Sequence, residues 1–214
     1  MPLKALVTGF DPFGGDKVNP SSLAVGQLRK RIGDVEVHTA ELPTSYAHSV
    51  EVLRRAIEKA RPEIVLCVGQ AGGRTELCLE RVAINVQDAR IKDNDGKQPI
   101  DRPVVRDGPD AYLSTLPIKA CVAEMRKAGL PAAVSNTAGT FVCNHVFYGL
   151  AHLIATELPG MRGGFVHVPF APEQVVDRAL PSLPVASVAQ ALREIAVTAA
   201  TFRTDIRVAG GATH

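Results

Sequence analysis

The run Glu63-Ile64-Val65-Leu66-Cys67-Val68-Gly69-Gln70-Ala71-Gly72-Gly73 decides the fold. From Ile64 to Val68 every side chain is apolar, so the strand they form offers no face to water and must be covered on both sides. It ends in a glycine loop, 69–73. Residues 4–8 repeat the pattern, and further strand patterns lie at 35–42, 79–87, 132–135 and 164–168. Helical patterns fill most of the intervals. Asn19-Pro20 reads as an N-cap with proline at the first helical position, opening a helix to about residue 31. Val50, Leu53 and Ile57 form an apolar stripe, as do Ile118, Cys121, Val122 and Met125, and again Val188, Leu192, Ile195 and Ala199. Strands alternating with helices predict an α/β fold. The expectation is a single three-layer α/β/α domain over 1–209, with a central twisted, largely parallel or mixed sheet and ligands at the carboxyl ends of its strands. Residues 93–109, rich in Asp, Gly and Pro, read as an extended loop and a candidate lid. Residues 210–214 read as a loose tail.

A chain of 214 residues can bury a full core, and 46% hydrophobic content excludes extensive disorder. The net charge of +2 is spread in both signs, with no basic stripe for nucleic acid. No apolar run approaches a membrane span, and the first strand pattern begins at once after Met1-Pro2-Leu3 with no secretory signal. A cytoplasmic location is expected. The cysteines at 67, 78, 121 and 143 include no C-x-x-C pair, and their intervals suit neither zinc nor a small disulfide scaffold. The histidines lack H-x-x-x-H spacing, so no structural metal is expected, and no organic cofactor is expected because the thiol chemistry considered below needs none.

Three polar residues then stand out against apolar surroundings. Cys143 lies in Ser135-Asn136-Thr137-Ala138-Gly139-Thr140-Phe141-Val142-Cys143-Asn144-His145, where a strand gives way to a helix. Gly139 turns the chain, Thr140 is the candidate N-cap, and the helix runs from Phe141 to about Leu158, ahead of Pro159-Gly160. A thiol in the first turn feels the positive end of the helix dipole, which favours thiolate. The same thiol would also serve as a small buried hydrophobe.

A nucleophile needs a base. His145 is two residues on, about 200° around the helix, and faces away. His167, in Gly164-Phe165-Val166-His167-Val168-Pro169, stands at a strand end. Glu80, set between Leu77-Cys78-Leu79 and Val82-Ala83-Ile84, is costly there unless paired, and an imidazolium would compensate it. An ion pair with Arg81 or Arg90, or a solvated strand edge, would account for it as well. Phe10 and Phe13, in the loop Thr8-Gly9-Phe10-Asp11-Pro12-Phe13-Gly14-Gly15, could wall an apolar pocket. Neither glycine loop matches a phosphate-binding fingerprint.

These segments together resemble the pyroglutamyl peptidase type I family, also called pyrrolidone-carboxylate peptidases. The matching blocks are GFDPFGG at 9–15, Asn19-Pro20-Ser21, GQAGGR at 69–74, ERVAINVQDARIKDNDGKQP at 80–99, SNTAGTFVCNHVFY at 135–148 and GFVHVP at 164–169. The resemblance implies a cysteine peptidase acting on peptides with N-terminal pyroglutamate, its triad Cys143, His167 and Glu80. It implies an oxyanion role for Arg90 and ring contacts from Phe10, Phe13, Gln70, Ile91, Phe141 and Val142. It also implies a homo-oligomer, a tetramer in some members. Lys92 departs from the proline usual in the family's DARIPDN run, which bears on the loop that follows. An α/β nucleoside phosphorylase-like transferase and a non-catalytic pyroglutamyl-peptide binding module share the layered architecture. The complete Cys/His/Glu set weighs against both.

Overall fold

The computed structural model describes residues 2–211. In chain order the elements are β1 (Leu3–Phe10), α1 (Pro20–Gly26), β2 (Arg31–Ile32), β3 (Val35–Leu42), α2 (Ser49–Ala60), β4 (Ile64–Gln70) and β5 (Leu77–Glu80). Then come β6 (Val82–Ile84), β7 (Ala111–Leu113), α3 (Ile118–Lys127), β8 (Ala132–Ser135), α4 (Val142–Thr156), β9 (Arg162–Val168) and α5 (Val185–Thr201). Seven strands form one sheet in the order β2-β3-β1-β4-β9-β5-β8, and β6 pairs with β7 apart from it. The sheet is mixed and mostly parallel. β1, β3, β4 and β9 run together, while β5 and its parallel neighbour β8 run the other way.

Strand period places alternate side chains in two separate cores. Ala5 and Val7 of β1, Ile64, Leu66 and Val68 of β4, and Val166 and Val168 of β9 pack under α1, α3 and α5. Leu6 and Phe10, Val65 and Cys67, and Phe165 face the other way, under α2 and α4. All seven residues of β4 are buried, as a strand covered on both faces must be.

Several boundaries differ from the sequence expectation. The helix opened by Asn19 is capped as read, with the Asn19 side chain accepting from Ser21 N–H, but it ends at Gly26 and β2 begins five residues later. The single strand expected over 79–87 is two. β5 belongs to the main sheet and β6 to the small one, and Arg81 between them reaches out to Asn136 Oδ1 at 2.9 Å. The 93–109 segment is a loop, but tethered rather than a free lid. Asp93 accepts from Tyr46 N–H at 2.9 Å and Lys97 N–H at 2.7 Å, and Asn94 N–H donates to Thr44 O at 3.0 Å. In the segment expected to be loose, Gly210 O accepts from Arg81 at 2.7 Å and Gly211 O from Asn136 at 2.6 Å. Residues 212–214 of that tail lie outside the described residues. No helix among the described residues is long and apolar enough to cross a membrane.

Candidate active site

Three parallel strands deliver the site at their carboxyl ends: Phe10 closes β1, Gln70 closes β4, and His167 stands next to last in β9. His167 lies in register with Gly69 on one side and Cys78 on the other. β5 runs antiparallel to β9, so Glu80 sits deeper in the sheet than His167. Glu80 has no solvent exposure and His167 only 4%. Glu80 Oε1 accepts from His167 Nδ1–H at 2.7 Å, which leaves Nε2 as the basic nitrogen. Arg74 Nη1 lies 3.2 Å from the same oxygen.

The helix α4 presents Cys143 above this pair. Its N-cap is Phe141, not Thr140, whose hydroxyl donates instead to Asp88 O at 2.7 Å. Phenylalanine cannot cap, and the first N–H bonded within the helix is that of His145, to Phe141 O at 3.1 Å. The N–H groups before it, Cys143 among them, have no carbonyl partner within the helix. Asn144 fixes the helix start: its amide bonds both the N–H and the C=O of Ile84, at 3.0 and 2.9 Å. Close packing holds the thiol. A Cβ at Gly69 would stand 2.7 Å from Cys143 Sγ and 2.8 Å from the Phe165 ring, so only glycine fits there. His145 points away as expected, with Nδ1 at 3.0 Å from Gln87 Nε2 and its ring edge-on to Tyr46.

Burial pushes the Cys143 thiol up to about 12; the Glu80 charge adds to this and Arg74 opposes it. The helix-end effect expected to favour thiolate is therefore outweighed. Burial also lowers His167, against the pull of its bond to Glu80. Both shifts favour the neutral forms of the thiol and the imidazole.

Cys143 and His167 open onto one cleft of about 430 Å³, walled by Phe13, Gln70, Arg74, Arg90, Ile91 and Phe141 among others. Beside it lies a niche of about 10 Å³, lined by Phe10, Phe13, Asn19, Thr44, Gln70, Phe141, Val142 and Cys143. Nine of the ten site candidates thus line the cleft or the niche, and the tenth, Glu80, lies beneath His167. The Gln70 amide is held from both ends: its nitrogen donates to Asp16 at 3.2 Å and its oxygen accepts from Gln174 at 2.9 Å. Arg90 is exposed on the cleft wall with no ion-pair partner among the described residues. Arg74 and Gln174 were not anticipated. Arg74 ends the GQAGGR run, and a cation closing a loop at a strand's carboxyl end was the available signal. Gln174 gave none, being one polar residue in a polar loop.

The pyroglutamyl peptidase family model matches residues 3–202. A pyrrolidone-carboxylate peptidase of Streptomyces coelicolor is 60% identical, with 99% of each chain covered. One from Bacillus subtilis is 50% identical, again with 99% of each covered. Among solved structures, pyroglutamyl peptidase I from Bacillus amyloliquefaciens superposes with a TM-score of 0.96 at 50% identity, covering 98% of this chain and 100% of that one. Pyrrolidone carboxyl peptidase from Thermococcus litoralis gives 0.92 at 38% identity, covering 97% and 99%. A thiol at an uncapped helix end above a buried histidine–carboxylate pair, in a fold shared with these proteins over nearly its whole length, places the chain in the pyroglutamyl peptidase family.

Proposed function

We propose that the protein is a cysteine peptidase that removes an N-terminal pyroglutamyl residue from peptides. The 2.7 Å His167–Glu80 bond beneath the cleft that holds Cys143 carries the reading. His167 Nε2 takes the thiol proton as Sγ attacks the carbonyl joining pyroglutamate to the next residue. The oxyanion is met by the Cys143 N–H at the uncapped helix end and by the Arg90 cation on the cleft wall. The imidazolium, stabilised by Glu80, gives its proton to the departing amine and leaves a thioester. Water, deprotonated by the same imidazole, then adds to the thioester. Pyroglutamate departs and the thiol is restored.

Pyroglutamate is a neutral lactam, and the niche suits one: its walls are Phe10, Phe13, Phe141 and Val142, with no carboxylate lining it to receive an ammonium. At about 10 Å³ it holds one water at most, so the ring enters when Phe13 and Phe141, whose rings are 6.0 Å apart, separate. Gly14 and Gly15, both at positive φ, follow Phe13 and give that loop its freedom. We place the enzyme in the cytoplasm, where its four unpaired cysteines stay reduced.

The test is release of a chromophoric amine from its pyroglutamyl amide, with and without iodoacetamide. Turnover is expected to vanish on alkylation and in Cys143→Ala. Peptide mapping should find Cys143 labelled before the buried Cys67, Cys78 and Cys121. Phosphate-dependent turnover, or full activity in the alanine variant, would refute the assignment.

A further inference from the structure

We propose that Arg74 is a positioning residue of this reaction, its guanidinium holding the Glu80 carboxylate against His167 and tying it to the loop that leads into Cys143. The inference rests on the peptidase reading for its kinetics and on geometry for its substance. Arg74 sits in the loop from β4 to β5, where its N–H closes a turn on Ala71 O at 3.3 Å just after Gly73, which has a φ of +89°. From there its side chain makes two contacts in different directions. Nη1 is 3.2 Å from Glu80 Oε1. Nη2 donates to Thr137 O at 3.0 Å. Thr137 belongs to the turn between β8 and α4, a turn itself held by Ser135 Oγ, which donates to Thr137 O at 3.1 Å. One planar group thus joins the carboxylate beneath the base to the segment that sets the start of the nucleophile's helix.

The carboxylate needs such a partner. It is wholly buried, and both of its close contacts, His167 Nδ1 and Arg74 Nη1, fall on Oε1; Oε2 finds no hydrogen-bond partner among the described residues. A wholly buried carboxylate needs a compensating charge, and burial disfavours the protonated form of its imidazole partner. Arg74 supplies that charge, and it is partly open to the cleft, with 26% of its side chain exposed. A lysine could supply the charge but not two donors in a fixed fork.

Around His167, β5 contributes Glu80 and Cys78, β4 contributes Gly69, which carries no titratable group, and Cys143 of α4 shares its cleft with Arg74, Asp88 and Arg90 from the loops. Within this set Arg74 opposes protonation of the imidazole and favours ionisation of the thiol. With Arg74 removed, the Glu80 charge acts on His167 unopposed. The imidazole then takes a proton at higher pH and is lost as a base sooner on acidification.

The test compares the natural protein with Arg74→Gln and Arg74→Lys by two readouts across pH 5–9. One is kcat and KM for a pyroglutamyl amide. The other is the rate of Cys143 alkylation by iodoacetamide, which needs no substrate. For Arg74→Gln we expect kcat to fall about 10²-fold with KM little changed. The acid limbs of both kcat/KM and alkylation should move to higher pH. For Arg74→Lys we expect the acid limbs to stay in place while kcat falls about tenfold, because the charge remains and the fork is gone. Superimposable pH profiles in all three proteins, or full kcat in Arg74→Lys, would overturn the proposal. If the natural protein hydrolysed no pyroglutamyl amide, the peptidase reading would fall, and the alkylation profiles would still decide the role of Arg74.

Discussion

Cys143, His167 and Glu80 were legible as residues because each is a polar group in an apolar run, where the cost of burial demands a reason. The reason for Glu80 was misjudged in part. Arg81 and Arg90 were weighed as partners, but Arg81 turns outward to Asn136 and Gly210, and the cation found at Glu80 is Arg74. A loop arginine beside glycines looks like a solvated charge until the chain is folded. His145 shows the opposite case, a buried histidine that bonds Gln87 rather than facing Cys143. Burial pushes it down to about 4 from 6.5. The unfolded chain takes up this proton as pH falls through about 6.5, whereas the folded protein refuses it until about 4. The contribution to stability is therefore present above pH 6.5 and is lost as pH falls towards 4. It amounts to on the order of 3 kcal/mol at most. His167, lowered for the same first cause, acts in the same direction. Urea unfolding of His145→Gln should show a less stable protein at pH 7 whose stability declines less between pH 7 and 4. An unchanged slope would mean that other groups govern the acid limb.

At the scale of elements, the apolar stripes were read correctly. Leu53 and Ile57, Cys121 and Met125, and Leu192 and Ile195 are all buried where α2, α3 and α5 meet the sheet. Element ends were less legible. The stretch from 79 to 87 carries no glycine or proline to mark a break, so nothing local reveals that β6 leaves for a second sheet. The cap of α4 was misplaced for a similar reason: Thr140 has the chemistry of a cap, but its hydroxyl is taken by Asp88 O. The end of β4 carries a prediction of its own. In Gly69→Ala the new methyl would meet the movable end of Cys143 and the Phe165 ring, which is fixed in the core. The thiol should turn aside more readily than the ring. Turnover should then fall about 10²-fold, while stability falls by roughly 1–3 kcal/mol. Steady-state rates and thermal melting of the one variant measure both. Undiminished kcat would show that the thiol reacts from another rotamer.

At the scale of the whole molecule, the α/β class and the covered sheet were legible, because continuous apolar strands leave no other arrangement. Strand order and direction were not, since pairing is decided by contacts far apart in the chain. β8 ends one edge of the sheet beside β5, and the segment at Gly210 and Gly211 is anchored near it through Arg81 and Asn136. The reversal of β5 matters most. In a sheet with every strand aligned, a carboxylate and a histidine at strand ends would share the solvent-facing rim. Here the opposed direction sends the chain inward from Cys78, opposite His167, to Glu80 under full cover. The hydrogen between Nδ1 and Oε1 is thereby shut off from bulk water, and its replacement by deuterium must wait for the sheet to breathe. In a proton magnetic resonance spectrum recorded in ordinary water, it should appear as a sharp line far downfield, lost in Glu80→Ala and slow to fade in heavy water. A line that vanished within the dead time of mixing would mean that the sheet opens there far more often than its packing suggests.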